Sequence, residues 1–370
     1  MVNRKSLSED LIQSFVRLIA KQTGIEIRER DRTALIEKIF SRMKALKLDL
    51  PETYYQVLNS SSKKNYQEWE NLVILLTNTE SYFFRDQDQF TLLRNHILPE
   101  LIQRKQNNKT IRICSAGCSS GEEPYSLAIL LKELLSDIEE WNVTILGIDV
   151  NQEALAKAKT GIYRPWSFRR VNLEIVKRYF QVINNEYHLK DSIKKMVDLQ
   201  PINLVKDLFP SSNSELQNLD LILCRNVFIY FDSSAIATVL NKFYDALEPS
   251  GYLITGHAEL YGQDVSQFET KVFPESVVYQ RIGDNGIARS RLSLSSDFNS
   301  IFVEDLSGEL SDSDLVSALE KSNIKMQITA LNLLKQLPSE AKLSKLGNLT
   351  VSELISKLET DLKSINRESK

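Results

Sequence analysis

The chain has 370 residues, of which 42% are hydrophobic and 26% charged, and its formal net charge is −3. This length accommodates a large core and two domains with an appendage, and the near-neutral charge argues against nucleic acid as a partner of the whole chain. No apolar run approaches the roughly 18 to 20 residues that span a bilayer, and the first residues lack a secretory-signal pattern. We therefore expect a cytoplasmic protein with no stable membrane insertion.

The cysteines, Cys114, Cys118 and Cys224, have neither zinc-type spacing nor the number that a disulfide framework needs. Their pattern is typical of small buried thiols in a reducing compartment. We predict no metal site.

Residues 1–75 contain helical patterns and no strand pattern. Ser6 and Glu9 have the spacing of a capping box, which predicts a helix beginning there. Apolar residues then recur at helical spacing in two sets: Leu11, Ile12, Phe15, Val16 and Ile19, and later Leu35, Ile36, Ile39, Phe40, Met43 and Leu46. The sequence thus predicts a small all-α domain over residues 1–75.

Basic residues are concentrated in the second helical region. Between Arg28 and Lys47 there are seven positive and three negative residues. A solvated helix face explains such a pattern, and so does a docking surface for an acidic partner. Both interpretations remain open.

From about residue 110 to 282, short apolar runs alternate with helical patterns. This alternation predicts βαβ units, and hence an α/β fold with a doubly wound, mostly parallel sheet whose ligands bind at the carboxyl edge of the strands. The segment near 179–200 interrupts the alternation, and there "YFQVINNEYHL" and "KKMVDLQ" are expected to pair as a small β insertion.

The composition changes after residue 282. Residues 283–312 are rich in Gly, Ser and acidic residues, which predicts a linker, and residues 313–370 contain two amphipathic helical patterns. This helical C-terminal extension is either inert or a docking segment.

A loop of small residues follows the first strand in "IRICSAGCSSGEEPYS". Gly117, Gly121 and a helix opened by Pro124 present backbone N–H groups to a ligand. Glu122 and Glu123 stand where a phosphate would bind, so they disfavour an anion and favour a ligand with an ammonium group. Ordinary helix N-terminal carboxylates are the alternative explanation.

The next strand ends at Asp149, before a helix that Asn151 is able to cap. An acid at this place commonly binds ribose hydroxyls, although a capping role is equally compatible with the pattern. Together with the carboxylates after the first strand, Asp149 indicates a nucleoside that carries a cationic amino-acid arm. S-adenosyl-L-methionine is such a molecule.

Two further segments place arginines near aromatic residues. Arg85 follows three consecutive aromatic residues in "TESYFFRD", and Arg225 ends an apolar strand in "LILCRNVFIYFD". Surface positions are one explanation, and recognition of a carboxylate by a planar guanidinium is the other.

Five segments in this order, "TESYFFRD", "SAGCSSGEEPYS", "IDVNQEALAKAKTGIYR", "CRNVFIYFD" and "GYLITGHAEL", resemble the successive motifs of the CheR family of chemotaxis receptor (protein-glutamate) O-methyltransferases. The resemblance covers about residues 8 to 282. It implies a class I methyltransferase domain over residues 76–282, preceded by a helical domain that helps to recognise receptors. It also implies methyl transfer from S-adenosyl-L-methionine to glutamates of methyl-accepting chemotaxis proteins, which gives glutamate 5-O-methyl ester and S-adenosylhomocysteine.

The resemblance also implies roles for single residues. Asp149 would bind the ribose, Glu122 the amino group and Arg85 the amino-acid arm, while Arg225 and Tyr230 would lie near the transferred methyl group. The implied catalytic residues are thus Arg85, Arg225 and Tyr230. The implied cofactor contacts are Thr79, Ser81, Arg85, Glu122, Asp149, Asn203, Leu204, Arg225 and Asn226, with Asn203 and Leu204 beside the adenine.

Two departures from the family pattern matter. The family often has Asn-Glu-Thr where this chain has Thr79-Glu80-Ser81, so one amide hydrogen bond to the cofactor is in doubt. The segment between Tyr179 and Leu189 lacks the extra glycines of members that dock on a receptor's C-terminal pentapeptide. We therefore expect docking that is independent of this pentapeptide.

The implied chemistry needs no general base, since a glutamate side chain is already ionised at neutral pH. His257 is accordingly interpreted as a packing residue. Two alternatives remain at this stage: a class I methyltransferase that acts on a small molecule, and a non-catalytic module that binds S-adenosyl-L-methionine and signals.

Overall fold

The computed structural model describes residues 7–60, 63–211 and 215–282, together with 342–343, 349–350 and the single positions 352 and 356. The chain divides into two compact units, Met1–Arg281 and Ile282–Lys370. The predicted linker, residues 283–312, lies outside the described residues. Within the predicted extension, strands Lys342–Leu343 and Leu349–Thr350 pair antiparallel, and Ser352 and Ser356 are helical.

The first unit begins with helices that pack around one apolar core. They are α1 (Glu9–Thr23), α2 (Arg32–Leu46), α3 (Pro51–Asn59) and α4 (Lys63–Leu76), with a short 3-10 turn at Glu29–Asp31. Phe15, Ile19, Ile39 and Leu58 are fully buried in this core. The helical N-terminal region is confirmed, but the cap of α1 is Ser8, whose hydroxyl accepts from Leu11 N, rather than Ser6.

Helices and strands then alternate as the apolar runs predicted. The remaining helices are α5 (Gln87–Leu92), α6 (Leu98–Lys105), α7 (Glu122–Leu134), α8 (Gln152–Thr160), α9 (Leu173–Tyr179), α10 (Asp191–Lys194) and α11 (Ser233–Ala246), with a π-helical turn at Leu93–Ile97. The strands are β1 (Thr110–Ala116), β2 (Asn142–Asp149), β3 (Ile162–Tyr163), β4 (Phe180–Ile183), β5 (Glu186–Leu189), β6 (Val197–Pro201), β7 (Leu219–Cys224), β8 (Leu247–Thr255), β9 (Phe268–Val272) and β10 (Val277–Arg281).

The main sheet has seven strands in the order β6-β2-β1-β7-β8-β10-β9. The first five are parallel to one another, and β10 runs antiparallel to both neighbours. Every residue of β7 is buried, as expected of a central parallel strand that is covered on both faces. The predicted doubly wound, mostly parallel sheet is confirmed, and its order brings the carboxyl ends of β2, β1 and β7 side by side.

A separate three-stranded sheet, in the order β3-β5-β4, forms the insertion. Its β4 and β5 make a hairpin through Asn184 and Asn185, both with positive φ, which is the backbone of a tight two-residue turn. The predicted pairing of "KKMVDLQ" with this hairpin is wrong. Those residues contribute β6, which pairs with β2 because Leu199 is buried beside Gly147, where a side chain would collide with it.

The N-terminal helices pack against the sheet domain within the same unit. Ile25 forms a β-bridge with Phe231, and Glu26 N donates to Tyr230 O at 2.8 Å. Across the part of the chain that the structure describes, we find no helix with the length and apolarity needed to cross a bilayer.

Candidate active site

A pocket lies at the carboxyl edge of β1, β2 and β7 and is walled on one side by the end of α1. It is lined by nine of the ten residues that the resemblance assigned to the site: Thr79, Ser81, Arg85, Asp149, Asn203, Leu204, Arg225, Asn226 and Tyr230. Glu122 is the exception, and its neighbour Glu123 lines the pocket instead. The pocket also includes Thr23 and Ile25 from the N-terminal region, which sequence reasoning did not predict.

The loop after β1 brings backbone close to the pocket. Gly117 has φ +73°, and a Cβ at this position would lie 2.3 Å from Cγ2 of Val227. The N–H groups of Gly117 and Cys118 donate to Ile148 O at 2.8 and 3.0 Å, which ties the loop to β2. A side chain would therefore push apart the two loops that form this wall of the pocket.

The two adjacent glutamates at the start of α7 face different surroundings. Glu122 is 1% exposed and accepts hydrogen bonds from the hydroxyls of Ser120 and Ser167 at 2.8 and 3.1 Å. Glu123 accepts from Ser115 Oγ at 2.7 Å and from Arg225 Nη1 at 3.0 Å. Glu122 thus anchors the loop to the turn at Ser167, while Glu123 offers a carboxylate to the pocket.

Burial raises the pKa of Glu123, and the positive charge of Arg225 and the hydrogen bond from Ser115 oppose this rise. A cation in the pocket would further favour the ionised carboxylate. The carboxylate of Glu123 is therefore suited to a ligand with an ammonium group.

Asp149 ends β2 with both carboxylate oxygens engaged by backbone. It accepts from Ser119 N and Asn151 N, each at 2.8 Å. Burial raises its pKa, and these backbone hydrogen bonds oppose the rise. The N-cap of α8 is Asn151, whose side chain accepts from Ala154 N. Asp149 therefore does not have the alternative role of capping this helix.

Arg225 is buried, and its hydrogen bonds are made to other residues of the protein. Its side chain is 1% exposed, and Nη2 donates to Asp86 Oδ2 at 2.8 Å and to the carbonyl of Arg85. Its Nε is buried without a hydrogen-bond partner among the described residues. By contrast, Arg85 is partly exposed on the pocket wall, with Nη1 donating to Glu80 O at 3.0 Å. Of the two arginines, Arg85 is better placed to meet the carboxylate of a ligand.

The side chain of Asn203 is occupied locally. Its Oδ1 accepts from Val205 N and Lys206 N, and its Nδ2 donates to Gln22 O at 2.9 Å. Lys242 Nζ donates to Leu204 O at 2.9 Å, which fixes the same turn from the other side. The backbone of Asn203 is engaged as well, since its N–H donates to Asp207 Oδ2 at 2.8 Å and its carbonyl accepts from Asp207 N at 2.9 Å. Asn203 and Leu204 therefore form a fixed wall that offers the Leu204 side chain to the pocket.

Glu259 organises the loop after β7, a role that sequence reasoning missed. Its carboxylate accepts from the N–H groups of Asn226 at 3.0 Å, Gly256 at 2.6 Å and Ile229 at 3.3 Å. Burial raises its pKa, and these backbone donors oppose the rise. The sequence signal for this role is the glutamate in "GHAEL", which closely follows the end of β8. Tyr230, at the end of this loop, accepts from Asn78 Nδ2 at 3.2 Å and is 39% exposed.

The parallel sheet with an antiparallel β10, the small-residue loop after β1 and the acid that ends β2 together define an S-adenosylmethionine-dependent methyltransferase. The model of the family "CheR methyltransferase, SAM binding domain" matches residues 79–276. The chain belongs to this family, as the five motifs predicted, and its cofactor is S-adenosyl-L-methionine.

Named relatives cover most of the chain. It is 34% identical to the "Chemotaxis protein methyltransferase" of Borreliella burgdorferi, over 69% of this chain and 89% of that protein. It is 29% identical to the proteins of the same name from Salmonella typhimurium, over 73% and 91%, and from Escherichia coli, over 70% and 87%. These alignments are longer than the domain matched by the family model.

Proposed function

We propose that the protein methylates glutamate side chains in the cytoplasmic part of methyl-accepting chemotaxis receptors, with S-adenosyl-L-methionine as methyl donor. The observation that carries the proposal is the convergence of two partly buried carboxylates, Glu123 and Asp149, on the Gly117 loop in one pocket of a chain that belongs to the CheR family. The reaction takes place in the cytoplasm, because that is where these receptor segments lie.

Different residues of the pocket bind different parts of the cofactor. Asp149 accepts hydrogen bonds from the ribose hydroxyls, Glu123 binds the amino group, and Arg85 binds the carboxylate of the amino-acid arm. Arg225, in the lining of the pocket, holds Glu123 and Asp86 in place. The wall of Asn203 and Leu204 receives the adenine.

The cofactor supplies an electrophilic methyl group on a sulfonium centre. A receptor glutamate is already an anion at neutral pH, so the protein has to align it and exclude water rather than remove a proton. The described lining of the pocket accordingly contains no histidine. Tyr230, partly exposed at the pocket, orients the incoming carboxylate, and no covalent enzyme intermediate is required.

Neither alternative function is favoured. A small-molecule methyltransferase does not account for relatives that are named chemotaxis protein methyltransferases. A non-catalytic module does not account for these names either, since a methyltransferase transfers a methyl group.

Receptor docking is assigned in part to the basic region between Arg28 and Lys47. Arg42 is excluded from this role, because it makes a two-pronged hydrogen bond at 2.9 and 2.8 Å to Glu68, whose side chain is 3% exposed. Lys44 and Lys47 are exposed and remain available. They steer encounter with acidic receptor helices through a salt-sensitive attraction. Lys44→Glu with Lys47→Glu should raise KM for receptor at low salt and have less effect at high salt.

We also propose that docking is independent of the receptor's C-terminal pentapeptide. The β4–β5 hairpin turns through Asn184 and Asn185 alone and so lacks the longer glycine-containing segment of pentapeptide-dependent members. Removal of the last five residues of a receptor that carries the peptide should leave the methylation rate unchanged. A large loss of rate would overturn this assignment.

The test of the proposed function is methyl transfer from methyl-labelled S-adenosyl-L-methionine to purified receptor cytoplasmic fragments. Label that is released as methanol by base, and that is absent from fragments with the acceptor glutamates changed to glutamine, would establish carboxyl methylation. Base-stable label, or no label on any receptor while a small molecule is methylated, would contradict it.

A further inference from the structure

Three side chains form a stack beside the pocket: Tyr82, Arg169 and Trp166. The Arg169 guanidinium carbon lies 3.5 Å from the Tyr82 ring centroid and 4.3 Å from that of Trp166. Arg169 Nη2 is also 3.2 Å from Oε1 of Glu80, and Glu80 lines the pocket. The stack is therefore connected directly to the rim of the pocket.

Trp166 presents an unusually large apolar surface at this position, since its side chain is 65% exposed. Nevertheless it is held in place. It belongs to the 3-10 turn Pro165–Phe168, in which Ser167 O accepts from Phe83 N at 3.0 Å and Phe168 stacks on Phe83 at 5.0 Å between ring centroids. A large side chain that is both exposed and fixed loses little entropy when a partner covers it.

The charged residues of the chain segment that contains Trp166 are all positive. The segment "YRPWSFRR", residues 163–170, contains three arginines and no acidic residue, and Arg164 and Arg170 are exposed. Tryptophan, tyrosine and arginine are also the residues that most often dominate binding energy at protein interfaces. The patch is thus suited to a partner that combines apolar and acidic groups.

We propose that Trp166, Arg164, Arg169 and Arg170, here called the Trp166 patch, dock the substrate segment of the receptor as an acidic, amphipathic α-helix. This inference rests on the proposed function and adds to it a second contact, separate from the basic region of the N-terminal helices. An α-helix with its side chains is about 10 Å wide, so a helix that directs one glutamate into the pocket also covers the rim. Trp166 packs on the apolar face of that helix, and Arg164 and Arg170 pair with its acidic residues.

The fluorescence of Trp166 provides a direct test in the full chain. Of the three tryptophans, Trp141 is 6% exposed and Trp69 is partly buried, so Trp166 dominates quenching by acrylamide. Saturation with a receptor cytoplasmic fragment that lacks tryptophan should protect the fluorescence. Unchanged quenching at saturation would overturn the proposal.

Kinetics provide the second readout. Trp166→Ala should raise KM for the receptor fragment about tenfold, while kcat and the affinity for S-adenosylhomocysteine stay within about twofold. Tyr66→Ala is the matched control, because Tyr66 is an aromatic residue that is 73% exposed on α4, and it should leave KM unchanged. An unchanged KM for Trp166→Ala would overturn the proposal that the Trp166 patch binds the receptor. The proposal would also be overturned if the wild-type protein were a dimer and Trp166→Ala made it a monomer, because the patch would then bind a second copy of the chain. Failure of the proposed function is distinguishable, because the wild-type enzyme itself would then methylate no receptor.

Discussion

Arg225 donates a 3.0 Å hydrogen bond from Nη1 to Oε2 of Glu123, and this contact joins the end of β7 to the start of α7 at the floor of the pocket. A buried guanidinium compensates part of the cost of an ionised carboxylate in the same surroundings. Arg225 therefore favours the ionised form of Glu123, which is the form that the proposed ammonium group would bind.

The two adjacent glutamates should respond differently to removal of their charge. Glu123→Gln should weaken binding of S-adenosyl-L-methionine about tenfold or more, because a hydrogen bond between charged groups is lost. Glu122→Gln should lower thermal stability, through its contacts with Ser120 and Ser167, and change affinity less than about threefold. Calorimetric titration of both variants decides the assignment, and the reverse ranking would return the amino-group contact to Glu122.

Cofactor affinity should decrease as the pH is lowered, and the decrease should begin at a higher pH than an ordinary glutamate would give. Burial raises the pKa of Glu123, and only its ionised form attracts an ammonium group, so affinity is present above this pKa and lost below it. Titrations at successive pH values should show this loss, and Glu123→Gln should flatten the profile. A wild-type profile identical to that of the variant would contradict this role.

The stability of the unliganded protein should depend on Glu123 with the opposite sign. Because the folded pKa is raised, the native state binds the proton more tightly than the unfolded chain. This contribution is complete below the ordinary carboxyl pKa and is lost as pH rises through the raised value. Urea unfolding of wild type and Glu123→Gln across this range should show a stability difference that changes in that direction.

Gly117→Ala should lower the free energy of unfolding by about 3 kcal/mol, from a strained backbone and a steric collision together. The collision is with Val227, 2.3 Å from the added Cβ. Gly262→Ala is the matched control, because Gly262 has φ +76° with nothing within 4 Å, and it should cost only about 1 kcal/mol. If both substitutions lowered the free energy of urea unfolding equally, the loop at Gly117 would have to move away from Val227 without strain.

Glu259→Gln should reduce kcat about tenfold or more and lower the free energy of unfolding by about 2 kcal/mol. One oxygen of Glu259 accepts from both Asn226 N and Gly256 N, and an amide has only one oxygen to serve all the donors that the carboxylate serves. Glu269→Gln, on the exposed face of β9, is the control and should change neither quantity. Normal kcat in Glu259→Gln would mean that the loop after β7 holds its shape without this carboxylate.

Sequence reasoning located much of the pocket because several of its charged residues lie at the carboxyl ends of strands. Asp149 ends β2 and Arg225 directly follows β7, and in a parallel sheet those carboxyl ends meet at one edge whatever the detailed packing. The positions of Thr79, Ser81 and Arg85 came instead from the resemblance, since no periodicity places a loop against a sheet.

The sequence did not decide between alternatives where side-chain direction or partners distant in the chain matter. Successive helical residues point about 100° apart, so only the structure separates Glu122 from Glu123. Arg42 belongs to a charged face by its own sequence, yet its partner Glu68 comes from another helix. The short run of β6 fits either sheet, and its burial against β2 decides between them.

A crystal structure of the protein with S-adenosylhomocysteine would show directly which residues hold the cofactor. We expect the ribose hydroxyls within hydrogen-bonding distance of Asp149, the amino group on Glu123, and the adenine beside Leu204. Product bound outside this pocket, or bound in it with its amino group on Glu122, would overturn the proposed cofactor site.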